Sequence, residues 1–366
     1  KIHEQSTTMQ NHGSRGLPAS RMLCEGYSER GSSHSLSTQK RRSEMPEVSV
    51  IIPIYNVGRF IGRCAESLMR QTLRDVEFIF VNDCTPDDSL AVLESVISRY
   101  DRDVKIISHE ENKGLPSARN SGLAIAKGEF IFHCDGDDWV EENLLERMVF
   151  EARSKKADFI YCDFFLSFEK SERYMGNPDF EDPQEMLRRG FLGGTMKYNV
   201  WNKLVRRELY DGILFPDGHS MGEDMTMIQI LCGAKRVAHV KEALYHYVQT
   251  NTGAFSKTQS PKQLADVRYN VDRTVSFLES RYGSSLVVEI SNFKLSIKLP
   301  FLISDSSDQY RLWQEWYPEA NAYVLSNKDV PFRTRFLQWM AAKNIWFGVR
   351  LYYWLVYRIA YRLLFR

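Results

Sequence analysis

The chain has 366 residues and an ordinary globular composition, 43% hydrophobic and 26% charged, which excludes a disordered or collagen-like protein. Its 48 Lys and Arg nearly balance 47 Asp and Glu, but residues 333–366 hold seven basic residues and no acidic one, whereas residues 47–332 hold 34 basic and 43 acidic residues. A mildly acidic body argues against nucleic-acid binding, which needs a basic patch, while the basic tail can attract an anionic surface such as a membrane.

Residues 1–46 are rich in Ser, Gly, Arg and His and have few residues that could build a core. We predict a disordered leader or an artificial extension of the chain. Residues 1–44 contain no apolar segment of the kind that a secretory signal requires. No uninterrupted apolar run reaches the ~18 residues expected of a membrane-spanning helix.

From residue 47 onward, β-branched segments alternate with segments of helical spacing. Val48–Tyr55 is a nearly continuous apolar run, as expected of a strand that is buried on both faces of a parallel sheet. The predicted strands are 48–55, 76–81, 104–107 and 129–134, and the predicted helices between them are 60–69, 89–100 and 115–126. Strands separated by helices predict right-handed βαβ units, and therefore an α/β fold with a doubly wound, mostly parallel sheet.

Polar residues directly follow the predicted strands, at the edge where ligands bind in doubly wound sheets. They are Asn56, Asp83 and the group Asp135, Asp137 and Asp138. No G-x-G-x-x-G motif follows the first strand and no G-x-x-x-x-G-K-[ST] motif occurs, which argues against a dinucleotide dehydrogenase and a P-loop NTPase.

The three clustered aspartates repel one another unless a cation or hydrogen-bond donors compensate their charge. Hard oxygen ligands suit Mg²⁺ or Mn²⁺, but Asp138 would also cap a helix that begins at Trp139. Asp83 alone fits an ordinary turn, and Arg119 alone fits a surface ion pair. From these residues by themselves the alternatives stay open.

Seven motifs in order resemble family 2 glycosyltransferases with the GT-A fold. They are Val50–Asn56, Val81–Asp83, Asn112–Asn120, Gly128–Ile131, Asp135–Trp139, Trp201–Glu208 and Gly222–Asp224. Each motif alone is weak, whereas the ordered set over about residues 47–250 is specific. The resemblance implies a GT-A fold, Rossmann-like with a doubly wound, mostly parallel sheet, and an enzyme of the bacterial surface-polysaccharide type.

The resemblance also implies roles for single residues. The residues assigned to the nucleotide-sugar donor are Pro53, Tyr55, Asn56, Asp83, Arg119 and Asp135. Asp83 matches the aspartate that binds the nucleotide base, in this family usually uridine. Asp135 and Asp137 match the outer positions of the D-x-D motif, which hold the ribose and a Mg²⁺ or Mn²⁺ ion on the diphosphate. Asp224 matches the catalytic base, although it would also cap the apolar helix that follows it.

A second group of residues is assigned to the acceptor or sugar site. Its members are Asp138, Trp201, Asn202, Glu223 and His246. Trp201 would offer an aromatic face to a pyranose ring, with core packing as the alternative. His246 would approach the diphosphate or the metal, although a single His more often satisfies a local hydrogen bond.

The cysteines are the main departure from the family pattern. Cys84, with Pro86, replaces the small residues common after Asn-Asp, and Cys134 stands where Leu is frequent. Both departures leave the carboxylates in place. The six cysteines are Cys24, Cys64, Cys84, Cys134, Cys162 and Cys232. Because none forms a C-x-x-C pair, we expect reduced packing residues in a cytosolic protein without a zinc site.

The domain prediction divides the chain into four parts. They are the leader 1–46, a GT-A domain 47–250 (nucleotide-binding half 47–140, acceptor and catalytic half 141–250), a helical extension 251–335, and an amphipathic helix 336–366. In the extension, Val267, Val271, Val275 and Leu278 are spaced for one buried helical face. The last helix combines a basic arc with aromatic residues, which suits a membrane surface; docking on protein is the alternative.

These observations favour one function over two alternatives. The favoured function is that of an inverting, metal-dependent glycosyltransferase, which moves a sugar from a nucleotide-sugar donor to a glycan or lipid-linked acceptor in polysaccharide biosynthesis. The resemblance implies that the donor is a UDP-sugar. Such an enzyme would work in the cytoplasm at the inner face of the membrane. The alternatives are a sugar nucleotidyltransferase-like enzyme and a non-catalytic sugar-nucleotide or glycan-binding module.

Overall fold

The computed structural model describes residues 45–251 and 260–356. Of the predicted leader only Met45 and Pro46 fall within this part. The first half alternates strands and helices as the sequence predicts. The strands are Val48–Ile54 (β1), Val76–Asn82 (β2), Asp103–Ser108 (β3) and Phe130–His133 (β4), and the helices are Gly58–Met69 (α1), Ser89–Ile97 (α2) and Leu115–Ile125 (α3).

The elements that follow vary more in length, from two to twelve residues. They are β5 (Trp139–Val140), α4 (Leu144–Lys155), β6 (Phe159–Ser167), β7 (Glu172–Met175), α5 (Pro183–Glu185, continued as a π-helix over Met186–Phe191), β8 (Lys203–Arg206), α6 (Thr226–Leu231) and β9 (Val237–Val248). Trp139 therefore lies in a strand, and α4 begins only after Asn143. The interpretation of Asp138 as a helix cap is wrong, because the chain first pairs with β9 at residues 139–140.

The strands form one sheet whose order is β3-β2-β1-β4-β8-β6-β9-β5, with β7 paired to β6. β1 pairs in parallel with β2 and β4, and β2 pairs in parallel with β3. Beyond β4 the sheet is mixed, since β8 runs antiparallel to both of its neighbours while β6 and β9 run parallel. The carboxyl ends of β1, β2 and β4 therefore meet at one edge, where the clustered aspartates begin.

Alternate side chains of the parallel strands enter two different hydrophobic cores. Val50 and Ile52 of β1 pack with Ile61 and Leu68 of α1 on one face. Ile51, on the other face, belongs to a core that continues into the C-terminal helices. This two-sided burial explains why β1 and β2 read as nearly continuous apolar runs.

A buried polar network interrupts this apolar sheet near the start of β1. The carboxylate of Glu77, in β2, accepts hydrogen bonds from Ser49 Oγ (2.5 Å) and from the Lys127 backbone N–H (2.6 Å). It also forms an ion pair with Lys105 of β3. Ser49 Oγ in turn accepts a hydrogen bond from the Gly128 N–H (2.7 Å). Three neighbouring strands thus share one polar contact.

The C-terminal region consists of helices. They are α7 (Pro261–Tyr282), α8 (Val287–Lys298), α9 (Ser307–Glu315), α10 (Phe332–Ala342) and α11 (Trp346–Tyr353). The predicted apolar face of α7 is confirmed, since Val271, Val275 and Leu278 are buried and Val267 is partly buried. In residues 45–251 and 260–356, no helix is both long enough and apolar enough to span a membrane.

The predicted amphipathic helix 336–366 is interrupted. Asn344 has a positive φ of 58° between α10 and α11, and Trp346 stacks on Tyr310 of α9 with ring centroids 5.3 Å apart. Leu337 and Val349 are buried. Part of this region therefore packs on the protein. Residues 357–366, which carry Arg358, Arg362 and Arg366, lie outside the described residues.

Candidate active site

The carboxyl end of β2 places Asp83 against the loop that leads into α3. Asp83 is buried, and its two carboxylate oxygens accept hydrogen bonds from the backbone N–H groups of Lys113 and Gly114, both at 2.8 Å. His109 Nδ1 lies 2.7 Å from Oδ1 of Asp83. These partners lie 26 to 31 residues away along the chain. Asp83 therefore holds two loops together, which an aspartate in a simple turn would not do.

The end of β1 brings Pro53, Tyr55 and Asn56 beside the aspartate group. A Cβ atom on Gly136 would lie only 2.8 Å from the carbonyl oxygen of Pro53, so the two segments approach as closely as a glycine permits. Tyr55 is 48% exposed at the same edge. The Asn56 N–H donates to Thr85 Oγ1 at 2.8 Å, which joins this loop to the one after Asp83. The predicted donor residues of β1, β2 and β4 thus meet.

The three clustered aspartates have different partners. Asp135 Oδ1 accepts a hydrogen bond from Arg119 (3.0 Å), and Asp137 Oδ2 accepts one from Asn251 Nδ2 (2.8 Å). Asp138 is buried, where it accepts hydrogen bonds from Tyr245 Oη (2.7 Å) and from the Val248 N–H (2.8 Å). Burial, with the charges of the other two aspartates, raises the pKa of Asp138 well above its usual range. Hydrogen-bond donors therefore compensate part of the charge.

These contacts limit which kind of metal site the chain can form. Within the described residues, no group of three or more His, Cys, Asp or Glu side chains is arranged to hold a metal ion. Asp137 lines a cleft of about 210 Å³ together with Arg59, Arg63 and Thr250. Mg²⁺ and Mn²⁺ are often held by one or two carboxylates, with phosphate oxygens of the substrate completing the coordination. The residues fit such a site, but they do not form a cage of protein ligands.

Arg119 connects the aspartate group with the loop that carries Asp224. Its guanidinium is buried, with Nη2 lying 3.0 Å from Asp135 and 3.8 Å from Glu223 Oε1. Its Nε and Nη1 atoms are buried without a hydrogen-bond partner in the part of the chain described. Arg119 is thus an internal cation between two carboxylates, and the alternative of a surface ion pair is wrong.

Glu223 and Asp224 lie in a single 3₁₀ turn, Glu223–Met225, directly before α6. No side chain forms a capping hydrogen bond at the start of this 3₁₀ turn or at the start of α6, so Asp224 does not act as a helix cap. Burial and the neighbouring Asp224 raise the pKa of Glu223 to about 8. Burial also raises the pKa of Asp224 above its usual range, opposed by the positive charges of Arg119, Lys203 and Lys197.

Three residues assigned to the acceptor or sugar site make contacts inside the protein: Trp201, Asn202 and His246. Trp201 is buried and stacks on Tyr245 with centroids 4.6 Å apart, which favours its core-packing alternative. Asn202 is buried and donates to the carbonyl oxygen of Cys162 at 2.7 Å.

His246 is held in a similar way. Its ring stacks on Trp139 at 3.4 Å, and its two nitrogens lie 2.8 Å from Glu172 and 2.9 Å from Glu141. These contacts favour the alternative in which the histidine satisfies local hydrogen bonds.

Sequence reasoning missed two buried polar residues beside Asp224. Lys203 donates from Nζ to Asn199 O (2.5 Å) and to Asn202 Oδ1 (2.8 Å), and burial lowers its pKa to about 7. The sequence feature that could have identified Lys203 is its position in the Trp201–Glu208 motif. Asn270 of α7 contacts the loop before Gly222; nothing in the helical pattern of 261–282 distinguishes it.

Comparison with known proteins places these features in a family. The sequence model of the family described as "Glycosyl transferase family 2" matches residues 49–227. The uncharacterized glycosyltransferase EpsJ of Bacillus subtilis is 34% identical over 236 residues, which cover 62% of this chain and 64% of EpsJ. The glycosyltransferase GlyG of Streptococcus pneumoniae is 30% identical over 227 residues, which cover 58% of this chain and 73% of GlyG. This chain thus spans less than two thirds of the length of EpsJ.

Among solved structures, residues 1–349 of S. aureus TarS in complex with UDP-GlcNAc superimpose on 85% of this chain and 92% of that chain. The TM-score is 0.64 at 17% sequence identity. Identity at this level supports the fold alone, and the predicted GT-A fold is confirmed.

Proposed function

The chain belongs to glycosyl transferase family 2, and we propose that it is an inverting, divalent-metal-dependent glycosyltransferase that uses a UDP-sugar donor. The observation that carries this proposal is the internal Arg119, whose guanidinium lies beside both Asp135 and the turn of Glu223 and Asp224. A donor-binding edge and a carboxylate that can act as a base therefore adjoin one another. TarS, which shares the fold, forms a complex with UDP-GlcNAc.

The donor is held at the edge formed by β1, β2 and β4, in the half of the domain from residue 47 to 140. Asp83 binds the nucleotide base and Tyr55, which is exposed beside it, packs against the nucleoside. Pro53 and Asn56 lie on either side of Tyr55 and shape the end of β1. Asp135 binds the ribose, fixed in direction by its hydrogen bond from Arg119.

Charge develops on the diphosphate as the bond to the sugar breaks. Asp137, with Asp135, would hold Mg²⁺ or Mn²⁺ against the diphosphate, and the ion would supply Lewis-acid stabilisation of the leaving group. Asp138, buried and hydrogen bonded beneath this position, supports the loop.

Asp224 removes the proton from the acceptor hydroxyl while the oxygen of that hydroxyl attacks the anomeric carbon of the donor sugar. The attack comes from the side opposite the diphosphate, so the configuration inverts and no covalent enzyme intermediate forms. Glu223, whose pKa is about 8, is mostly protonated at neutral pH and leaves the role of base to Asp224. Both lie in the catalytic half, residues 141–250.

The acceptor is a glycan or a lipid-linked glycan of polysaccharide biosynthesis at the inner face of the cell membrane. Support comes from the surface of α11, where Phe347 is 79% exposed and Leu351 43% exposed, with Trp354 just beyond at 52%. Arg350 is also exposed. Exposed aromatic residues next to basic ones suit the headgroup interface of a membrane.

A donor screen tests the proposed function. The full chain is incubated with UDP-, GDP- and dTDP-sugars in the presence and absence of Mn²⁺, and release of the free nucleotide diphosphate is measured. We expect UDP release from one UDP-sugar that depends on the metal and is accelerated by an acceptor glycan. Release of a sugar 1-phosphate, with the nucleoside monophosphate transferred to the acceptor, would indicate a nucleotidyltransferase-like enzyme, and donor binding without turnover would indicate a binding module.

A further inference from the structure

The segment between residues 211 and 222, which leads to the turn of Glu223 and Asp224, contains no helix or strand. Side chains of two helices hold it, α3 before the segment in the sequence and α7 after it. From α3, Asn120 Nδ2 donates to Phe215 O (2.9 Å) and to Asp217 Oδ1 (3.1 Å), and Asn120 Oδ1 accepts from the Phe215 N–H (2.9 Å). Ser117 Oγ also donates to Asp217, at 2.9 Å. These contacts from α3 fix the first part of the segment.

α7 holds the part of the segment that lies closest to Asp224. Asn270 is fully buried, and its Nδ2 donates to Met221 O at 3.0 Å and to His219 O at 3.3 Å. Lys262 Nζ donates to Gly218 O at 3.1 Å, farther along the same helix face. The carbonyl that Asn270 binds most closely is separated from Glu223 by a single residue.

That single residue is Gly222, which has a positive φ of 82°. A Cβ atom on Gly222 would lie 3.1 Å from the Met225 side chain and 3.5 Å from Cβ of Asn270. The backbone therefore reverses between the carbonyl held by Asn270 and the turn that presents Asp224. Because this reversal is tight, a displacement of Met221 changes the position from which the Asp224 side chain starts.

We propose that Asn270 is a positioning residue for Asp224, so that α7 of the C-terminal extension is part of the catalytic machinery. This inference rests on the proposed function in one respect, the role of Asp224 as base. An amide suits this position because it is a neutral donor in a buried place and can reach two carbonyl oxygens at once. An alkyl side chain would leave the turn without this restraint.

The experiment compares Asn270→Ala with Asn292→Ala in the full chain. Asn292 is a matched control, because it is also a buried asparagine of the extension, and it accepts a hydrogen bond from Ser326 Oγ (2.8 Å) in another part of the molecule. Hydrogen–deuterium exchange of peptides covering 214–225 reports the restraint on the turn without requiring activity. UDP release from the donor found in the screen, with kcat and KM measured separately, reports catalysis.

We expect Asn270→Ala to accelerate exchange in 214–225 and to lower kcat by about 10- to 100-fold, with little change in the KM for the donor, since a misplaced catalytic group reduces the rate by such factors. Asn292→Ala should leave both exchange in 214–225 and kcat near those of the unaltered protein. If Asn270→Ala does not fold, Asn270→Ser, which keeps a hydrogen-bond donor, is measured in the same way.

Unchanged exchange in 214–225 would overturn the positioning role, whatever the activity. Faster exchange with unchanged kcat, or an equal loss of kcat in Asn292→Ala, would also overturn it. If the unaltered protein turns over no nucleotide sugar while Asn270→Ala still loosens 214–225, the proposed function fails and the restraint by Asn270 stands.

Discussion

Nη2 of Arg119 lies 3.0 Å from Oδ1 of Asp135, in an ion pair whose arginine is fully buried. The same nitrogen is 3.8 Å from Glu223. The guanidinium therefore lies between carboxyl groups on two segments that are almost ninety residues apart, namely the loop after β4 and the turn before α6. Movement of either segment would take one of these partners away from the buried guanidinium.

Replacing Arg119 with Met should destabilise the fold by about 3 kcal/mol, because removing one partner of a buried ion pair leaves the other charge uncompensated. Urea unfolding measures this difference. Arg153→Met is the control, since Arg153 is 48% exposed where it pairs with Glu47 and Glu129. Its loss should cost no more than about 1 kcal/mol. Equal costs for the two variants would contradict the buried role of Arg119.

Asp224→Asn should lower the rate of sugar transfer by about 10²- to 10⁴-fold while donor binding persists, because only the proton acceptor is removed. Glu223→Gln is the matched variant. Since the pKa of Glu223 is raised to about 8, its carboxyl is mostly neutral at pH 7, and the amide should retain most of the activity there. Steady-state kinetics at pH 7 compare the two. A larger loss in Glu223→Gln would reverse the assignment of the base.

Asp137→Asn should abolish the part of UDP affinity that depends on Mn²⁺. Asp138→Asn should preserve it, because Asp138 is buried against Tyr245 and Val248 and its raised pKa favours the neutral form that the amide resembles. Titration calorimetry with UDP, with and without Mn²⁺, separates the two variants. Mn²⁺-dependent affinity that survives in Asp137→Asn would count against its role.

Lys203 should add a contribution to the stability of the protein that increases with pH between about 7 and 9.5. Burial lowers the folded-state pKa of Lys203 from 10.5 to about 7. In this pH range the unfolded chain therefore keeps a proton that the folded protein has released. A difference of one proton makes the free energy of unfolding increase with pH, by at most about 1.4 kcal/mol per unit.

Lys203→Met removes this contribution, so its free energy of unfolding should fall increasingly below that of the unaltered protein as the pH rises, measured by urea unfolding at pH 7, 8, 9 and 9.5. The exposed Lys170, replaced by Met, serves as the control and should keep the original slope. Parallel curves for Lys203→Met and the unaltered protein would show that Lys203 does not change its protonation in this range.

The paired substitution Phe347→Ser and Trp354→Ser should weaken sedimentation of the protein with vesicles that contain anionic lipid. Both side chains are more than half exposed, so thermal stability should be unchanged. Phe150→Ser is the control, because Phe150 is 58% exposed on α4 in the GT-A domain. Undiminished sedimentation of the double variant would contradict membrane contact through α11.

The parallel half of the fold could be predicted because each strand is an apolar run and each following helix has a regular face. The strands β5, β7 and β8 could not, since they have only two to four residues. In addition, β5 and β8 depend on antiparallel partners distant in sequence, β9 and β4. The order of the carboxylates could be recognised from the motifs. The directions in which these side chains point could not be predicted, because Asp138 turns inward only when Tyr245 and Val248 of β9 are in place.

His246 illustrates the same limit. The residue follows an apolar strand pattern, so its sequence context is compatible with a ligand as well as with a packed side chain. Its two carboxylate partners and its stacking partner come from two separate segments, one containing Trp139 and Glu141 and the other containing Glu172. Only the assembled sheet brings these segments together, and the distances then favour packing. Asn270 was missed for the equivalent reason, since its carbonyl partners lie about fifty residues earlier.

The buried contact among Ser49, Glu77 and Lys105 bears on how the chain avoids misfolding. Parallel strands that are apolar on both faces carry no alternating pattern, so a shift of one residue along a neighbour would bury the same kinds of side chain. Such a shift would separate the Glu77 carboxylate from its donors and leave a charge inside the protein. A mispaired sheet is thereby penalised, and the polar contact selects the alignment that brings Asp83 and Asp135 to a common edge.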